Sequence, residues 1–390
     1  MIKKSISIIA ATTLMTAVAG TCYATEMAAS LPKLNIDPAR IGITGISSGA
    51  YMAIQAQLSY PEIFKRAGIV AGGPYGCGES VDMAGSQGAD ILSCMSDGYS
   101  LDTATAKMSD QNIASWAALA SSRATYMWIA DGVRFISGLE NLKKDGLVYL
   151  LHGTKDTVVL PIVAEAAKKV YQQLTVIKKQ STNNATSVPL DMEIIDDGGK
   201  DFAHTFPTDQ PRDATCDTSV FPYIGHCGID GAKMIFANLW GWGGQTPGTV
   251  TGQLFSYDQT TVPLQKEAQM DDAGYVYVPK ACQEGKKCGI MVALHGCNQS
   301  ANSTDPDGKD PLTVGNRFAK DTGFNRWADA YDMVVVYPQV KPDLFGNVTK
   351  SNFNGCWDWW GYTGKNFDQR SSAQINYLVN TVKALGYKFP

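Results

Sequence analysis

Four short stretches carry side chains whose type and spacing suit acyl transfer. The first is Gly45-Ile46-Ser47-Ser48-Gly49, set between an apolar run and a helix-like segment. Glycines on both sides of a serine allow close backbone approach in a strained turn. The turn lifts the hydroxyl above a sheet edge, and the helix N-terminus beneath it favours developing negative charge. A serine hydroxyl is a weak nucleophile until a base takes its proton and an acid holds that base in the right tautomer. His152-Gly153-Thr154-Lys155-Asp156 follows another apolar run and offers a strand-end aspartate as the acid. The chain has four histidines. His152 and His295 lie in strand-end His-Gly pairs, where structural hydrogen bonding is the commoner role, and His226 lies between two cysteines. His204, in the loop from Gly198 to Pro207, is therefore the candidate base, and the order Ser47, Asp156, His204 suits a serine nucleophile on a strand–helix turn.

The fourth stretch is Leu294-His295-Gly296-Cys297-Asn298-Gln299. A tetrahedral oxyanion needs two amide donors. One is expected from the Ser48 backbone, next to the nucleophile, and the other from a His-Gly loop after a strand, here the Cys297 amide. That loop ordinarily precedes the serine in sequence, whereas here it comes long after it.

The surrounding pattern supplies the elements. Short apolar runs at Arg40–Ile46, Arg66–Ala71, Gly146–Leu151, Leu190–Ile195, Gly274–Val278, Gly289–Leu294 and Met333–Tyr337 read as strands. Helical patterns at Ala50–Tyr60, Ile113–Ala120, Ile162–Leu174, Gly231–Trp240, Asn316–Tyr331 and Ser371–Leu385 alternate with them. That alternation predicts an α/β fold with a mostly parallel sheet flanked by helices. Gly241–Gly252 is rich in Gly and Thr and reads as a linker.

Placing the second half of the chain before the first gives strand, His-Gly loop, helix, strand, helix, strand, Ser47, Asp156, His204. This is the usual α/β-hydrolase order, so a circularly permuted α/β-hydrolase fold is expected. Neither half holds the whole site, so residues 25–390 are read as one catalytic domain, with the permutation linker near 241–252.

The N-terminus reads Met-Ile-Lys-Lys, then apolar and small residues to Gly20, then Thr21-Cys22-Tyr23-Ala24. This has the form of a secretory signal peptide over 1–24 and predicts a secreted or periplasmic protein. Nine cysteines are present, and removing Cys22 leaves eight. An even number in an exported chain predicts disulfides. Proximity favours Cys77–Cys94, Cys216–Cys227 and Cys282–Cys288, leaving Cys297–Cys356. The absence of any tight Cys-x-x-Cys pair argues against a cysteine metal site. The formal charge is −4, more acidic still without Lys3 and Lys4, and no basic run appears, which argues against nucleic acid. A membrane partner is not expected, and the protein is read as a monomer.

Cys356-Trp357-Asp358-Trp359-Trp360 adds aromatic surface suited to an apolar polyester or aryl ester. Core packing accounts for at least one of the three tryptophans.

Together, Gly45-Ile46-Ser47-Ser48-Gly49-Ala50-Tyr51-Met52, His152–Asp156, the late Leu294-His295-Gly296-Cys297 and the Cys-Trp-Asp-Trp run resemble polyhydroxybutyrate depolymerases. The likeness is to the circularly permuted, single-domain type and covers nearly the whole mature chain. It implies a serine esterase acting on poly(3-hydroxybutyrate) or its oligomers, with Ser47, Asp156 and His204 as triad. It implies the Ser48 and Cys297 amides as oxyanion hole, and Trp357 beside the scissile ester. No metal or organic cofactor is implied. The histidine loop is longer than the family's Gly-x-x-His. Alternative readings are a feruloyl- or acetyl-type carbohydrate esterase, a general carboxylesterase and, more remotely, a non-catalytic secreted binding protein on a hydrolase fold.

Overall fold

The computed structural model describes residues 30–80, 92–95, 101–129, 133–181, 184–212, 214–247, 250–343, 352 and 354–388. The leader expected at 1–24 and residues 248–249 of the expected linker lie outside these. In chain order the strands are β1 (Ile36–Ile46), β2 (Arg66–Val70), β3 (Thr125–Ile129), β4 (Val133–Ser137), β5 (Leu147–Gly153), β6 (Thr175–Ser181) and β7 (Asn184–Pro189). They continue with β8 (Glu193–Lys200), β9 (Phe206–Thr208), β10 (Ile224–His226), β11 (Gln253–Asp258), β12 (Ala273–Val278), β13 (Cys288–Leu294) and β14 (Met333–Tyr337).

Eight strands form one sheet in the order β11-β12-β14-β13-β1-β2-β5-β8. From β14 to β8 every pairing is parallel. At the other edge, β12 and β11 run antiparallel. The central strands are buried along their whole apolar stretches, as in β13 and β14, because helices cover both faces. One face packs against helices Ser48–Ser59, Asp110–Arg123, Pro161–Gln172 and Ala373–Ala384 through Met52, Ile54, Trp116, Val163, Val170 and Leu378. The opposite face packs against Gly231–Trp240 and Phe324–Tyr331 through Ile235, Phe236, Phe324 and Trp327.

Most predicted elements are present within a few residues. The helix expected over Asn316–Tyr331 is two pieces, Arg317–Asp321 and Phe324–Tyr331. Gly323 between them has φ +88°, a left-handed conformation that ends a helix. Strand β11 was not expected. It begins directly after the Gly/Thr-rich stretch, and only Tyr257 of its six residues is fully buried, so the apolar run that marks a central strand is missing. The hairpins β3–β4 and β6–β7 and the short parallel pair β9–β10 lie outside the main sheet.

The two ends of the described chain meet. The Leu34 N–H donates to the Leu385 carbonyl (2.9 Å), and the Cys288 N–H to the Asn35 carbonyl (2.9 Å).

Candidate active site

Strand β1 ends at Ile46 and the helix begins at Ser48, leaving Ser47 alone in the turn with φ 55° and ψ −125°. This is a region that residues with a Cβ rarely enter, and its cost is of order 1–3 kcal/mol. Two constraints hold it. The Ser47 N–H donates to the Val70 carbonyl (3.0 Å), and the Ala50 N–H donates back to the Ser47 carbonyl (2.8 Å). The flanking glycines are sterically required. A Cβ on Gly45 would sit 2.4 Å from the Gly49 backbone, and one on Gly49 would sit 2.4 Å from the His295 carbonyl oxygen.

Asp156 follows β5 in a tight turn. Its Oδ1 accepts the amides of Val158 (2.9 Å) and Val159 (2.8 Å), which turns Oδ2 toward His204 Nδ1 at 2.8 Å. Both side chains are buried, Asp156 to 2% exposure and His204 to 6%. The long histidine loop is braced along its length. The Lys155 amide donates to the Phe202 carbonyl (3.1 Å), the Ala203 amide to the Cys216 carbonyl (2.7 Å), and the His204 amide to Ser219 Oγ (3.1 Å). The Cys216–Cys227 disulfide and the β9–β10 pair close the support behind it.

The oxyanion candidates stand at the same place. Gly296 lies against the nucleophile, since a Cβ built there would be 3.2 Å from Ser47 Cβ. Among the described residues, neither the Ser48 nor the Cys297 amide donates to another protein group. His295 is fully buried, and burial lowers its pKa from 6.5 to about 4. It is thus a neutral imidazole. Its Nε2 accepts the Val340 N–H (3.2 Å), so Nδ1 carries the proton and donates to the Gly296 carbonyl (2.8 Å). His295 takes the structural hydrogen-bonding role expected of it. His152 is half-buried, with its pKa also lowered by burial.

Ser47, His204 and Cys297 line one cavity of about 320 Å³. Its apolar wall is formed by Leu92, Met95, Val158, Trp359 and Trp360, and Tyr223, Asn298 and Asn354 give it a polar side. The three cysteine pairs anticipated from proximity, and the Cys297–Cys356 pair left over, are disulfides. Cys297–Cys356 brings the tryptophan run to the oxyanion loop. The three indoles of that run are placed differently. Trp357 has no exposed surface and packs against His295, ring centroids 5.7 Å apart, and it does not line the cavity. Its backbone amide donates to Ser48 Oγ (3.2 Å). Side chains two apart in an irregular segment need not share a direction, and here the cavity receives Trp359, stacked on Tyr51 at 4.5 Å, and Trp360. Leu92, Met95 and Tyr223 were not anticipated. The signal for the first two was their position either side of Cys94, which the Cys77–Cys94 bond anchors.

A mostly parallel sheet covered on both faces, a serine on a strained strand–helix turn and a buried Asp–His pair at neighbouring strand ends define an α/β-hydrolase of the serine carboxylic ester hydrolase class. No family model matches the chain. It is 34% identical over 372 residues to a polyhydroxybutyrate depolymerase of Talaromyces funiculosus, covering 92% of this chain and 93% of that protein. It is 31% identical over 353 residues to a poly(3-hydroxybutyrate) depolymerase of Delftia acidovorans, covering 89% and 60% of the two chains. Among solved structures, the PHB depolymerase of Penicillium funiculosum superposes with a TM-score of 0.68 at 32% identity, over 92% of this chain and 98% of that one. A PHB depolymerase variant complexed with an R3HB trimer gives 0.69 at 31%, with the same coverage. The chain belongs to the polyhydroxybutyrate depolymerase family.

Proposed function

We propose that this protein hydrolyses poly(3-hydroxybutyrate) or its oligomers through an acyl-enzyme formed on Ser47. The observation that carries the reading is the buried His204–Asp156 hydrogen bond of 2.8 Å in the wall of the cavity that receives Ser47. Asp156 holds His204 with Nδ1 protonated, which leaves Nε2 free to take the Ser47 proton. Ser47 Oγ attacks the ester carbonyl. The oxyanion is received by the Ser48 and Cys297 amides, each worth about 10²–10³ in rate. His204 gives that proton to the departing alkoxide oxygen as the C–O bond breaks; water, losing a proton to His204, then attacks the acyl-enzyme, and Ser47 Oγ takes the proton back as the hydroxyacid is freed. Trp359 and Trp360 offer flat apolar surface to the polyester backbone, while Trp357 packs behind the cavity wall against His295. The related depolymerase complexed with an R3HB trimer supports this substrate class.

The reading extends to the whole chain. The Leu34–Leu385 contact, with the expected linker at 241–252 leading into the edge strand β11, supports a circular permutation within one catalytic domain. Four disulfides support export to the periplasm or beyond. The test is hydrolysis of amorphous polyhydroxybutyrate by the purified protein beside Ser47→Ala. Release of 3-hydroxybutyrate or its dimer by wild type, with a loss of about 10⁴-fold or more in the variant, is expected. Turnover of short soluble esters without polymer loss would overturn the substrate assignment and leave a general or feruloyl-type esterase.

A further inference from the structure

Gln299 belongs to the His-Gly-Cys stretch but has no part in the proton transfers above. It is 1% exposed, and all its polar atoms are engaged. Its Oε1 accepts the Gly296 N–H at 2.7 Å. Its Nε2 donates to two consecutive carbonyls of another loop, Pro222 (2.8 Å) and Tyr223 (2.9 Å). The first bond acts one residue from the Cys297 amide and on the glycine that lies against Ser47. With His295 Nδ1 donating to the Gly296 carbonyl, both backbone groups of Gly296 are held by side chains. The carbonyl so held belongs to the same peptide unit as the Cys297 N–H, so that unit cannot rotate without breaking a buried hydrogen bond.

The other end of Gln299 reaches the segment that braces the loop carrying His204. The Tyr223 carbonyl that Gln299 engages also accepts the Phe206 N–H (2.8 Å), two residues after His204. The segment before Tyr223 supplies Ser219 Oγ and the Cys216 carbonyl to the amides of His204 and Ala203. Tyr223 itself lines the cavity. We infer that Gln299 is a positioning residue that ties the oxyanion peptide to the histidine loop, so that donor and base keep one spacing about Ser47.

This inference rests on the triad and oxyanion assignments made above, and it is independent of the polymer. Both halves of the tie are needed. An amide supplies one acceptor and two donors at once, whereas a carboxylate supplies acceptors only and would face the Pro222 and Tyr223 carbonyls with like charge. A misplacement of about 1 Å in a catalytic group costs about 10²-fold.

The experiment compares wild type, Gln299→Ala, Gln299→Glu and Ser47→Ala on a soluble p-nitrophenyl butyrate, with the fold followed by circular dichroism. Gln299→Ala should lose about 30- to 100-fold in kcat with KM within about twofold, because the ester still binds but its oxyanion is poorly met. Gln299→Glu should be weakest at alkaline pH. Its activity relative to wild type should rise about tenfold between pH 8 and pH 5, as the buried carboxyl gains a proton and regains one donor. A kcat within twofold of wild type in both variants, a flat activity ratio across pH, or failure of both to fold would overturn the positioning role and leave Gln299 a structural brace. Activity retained by Ser47→Ala would instead withdraw the triad reading.

Discussion

The turn at Ser47 and the loop at Cys297 pack side by side at one cavity and are held in shape by opposite means. At Ser47 the constraint is local and steric. The chain is forced through φ 55° by the strand before it and the helix after it, with glycines where no Cβ fits. At Cys297 the constraint is distant and chemical. The loop is secured by a disulfide to Cys356, by Gln299 reaching Pro222 and Tyr223, by His295 reaching Val340, and by the Asn298 amide donating to the Asn354 carbonyl (2.6 Å). The nucleophile turn draws its shape chiefly from its own strand and helix, with one backbone bond to the neighbouring strand at Val70. A loop that must present an unengaged amide has to draw its rigidity from elsewhere in the chain.

That contrast can be tested by loosening each side. The largest effect is expected from the double variant Cys297→Ser/Cys356→Ser. The disulfide closes 59 residues, which corresponds to about 4 kcal/mol of chain entropy. Denaturant unfolding should show a loss of that order together with reduced kcat. A variant unchanged in both would show that the hydrogen bonds alone hold the loop.

The next effect is pH-dependent and belongs to the same loop. Burial lowers the His295 pKa to about 4 from 6.5. Above pH 6.5 the imidazole is neutral in both folded and unfolded chains, and its contribution is complete. As pH falls, the unfolded chain takes up the proton first, so stability is lost between pH 6.5 and 4 and levels off below. The loss is about 3 kcal/mol. Unfolding free energies measured from pH 7 to pH 4 should fall less steeply in His295→Gln. Equal slopes in the two proteins would refute the assignment.

The smallest effect sharpens the contrast from the other side. Ser47→Gly removes the side chain that makes φ 55° costly. It should raise the unfolding free energy by about 1–2 kcal/mol while abolishing turnover. No gain in stability would mean that the turn stores no strain.

The same difference explains what could be read from the chain before its fold was known. Ser47 was legible because Gly45 and Gly49 flank it two residues to either side. Asp156 was legible because it sits where an apolar run ends. His204 was reached by setting aside three other histidines, and three of the cysteine pairs by proximity. Trp357 shows where such reasoning stops. Aromatic character singled out the run, but which of its three indoles enters the cavity depends on how an irregular stretch packs. That packing is set by Tyr51, His295 and the disulfide together. Gln299 was in view but had no visible role, since its partners Pro222 and Tyr223 become neighbours only in the folded chain. Strand β11 was missed because an edge strand is only half-buried and lacks a continuous apolar run.

The pairing of β1 with β13 also bears on how the molecule is made. These strands are neighbours at the middle of the sheet, yet β13 begins only at Cys288. A chain growing at about 5–20 residues per second therefore holds β1 with one side unpaired for roughly tens of seconds. Contacts so distant along the chain also slow the search for the native state. An apolar strand waiting with an open edge invites pairing with other chains. The full pairing of β1 therefore waits until Cys288–Leu294 has been made.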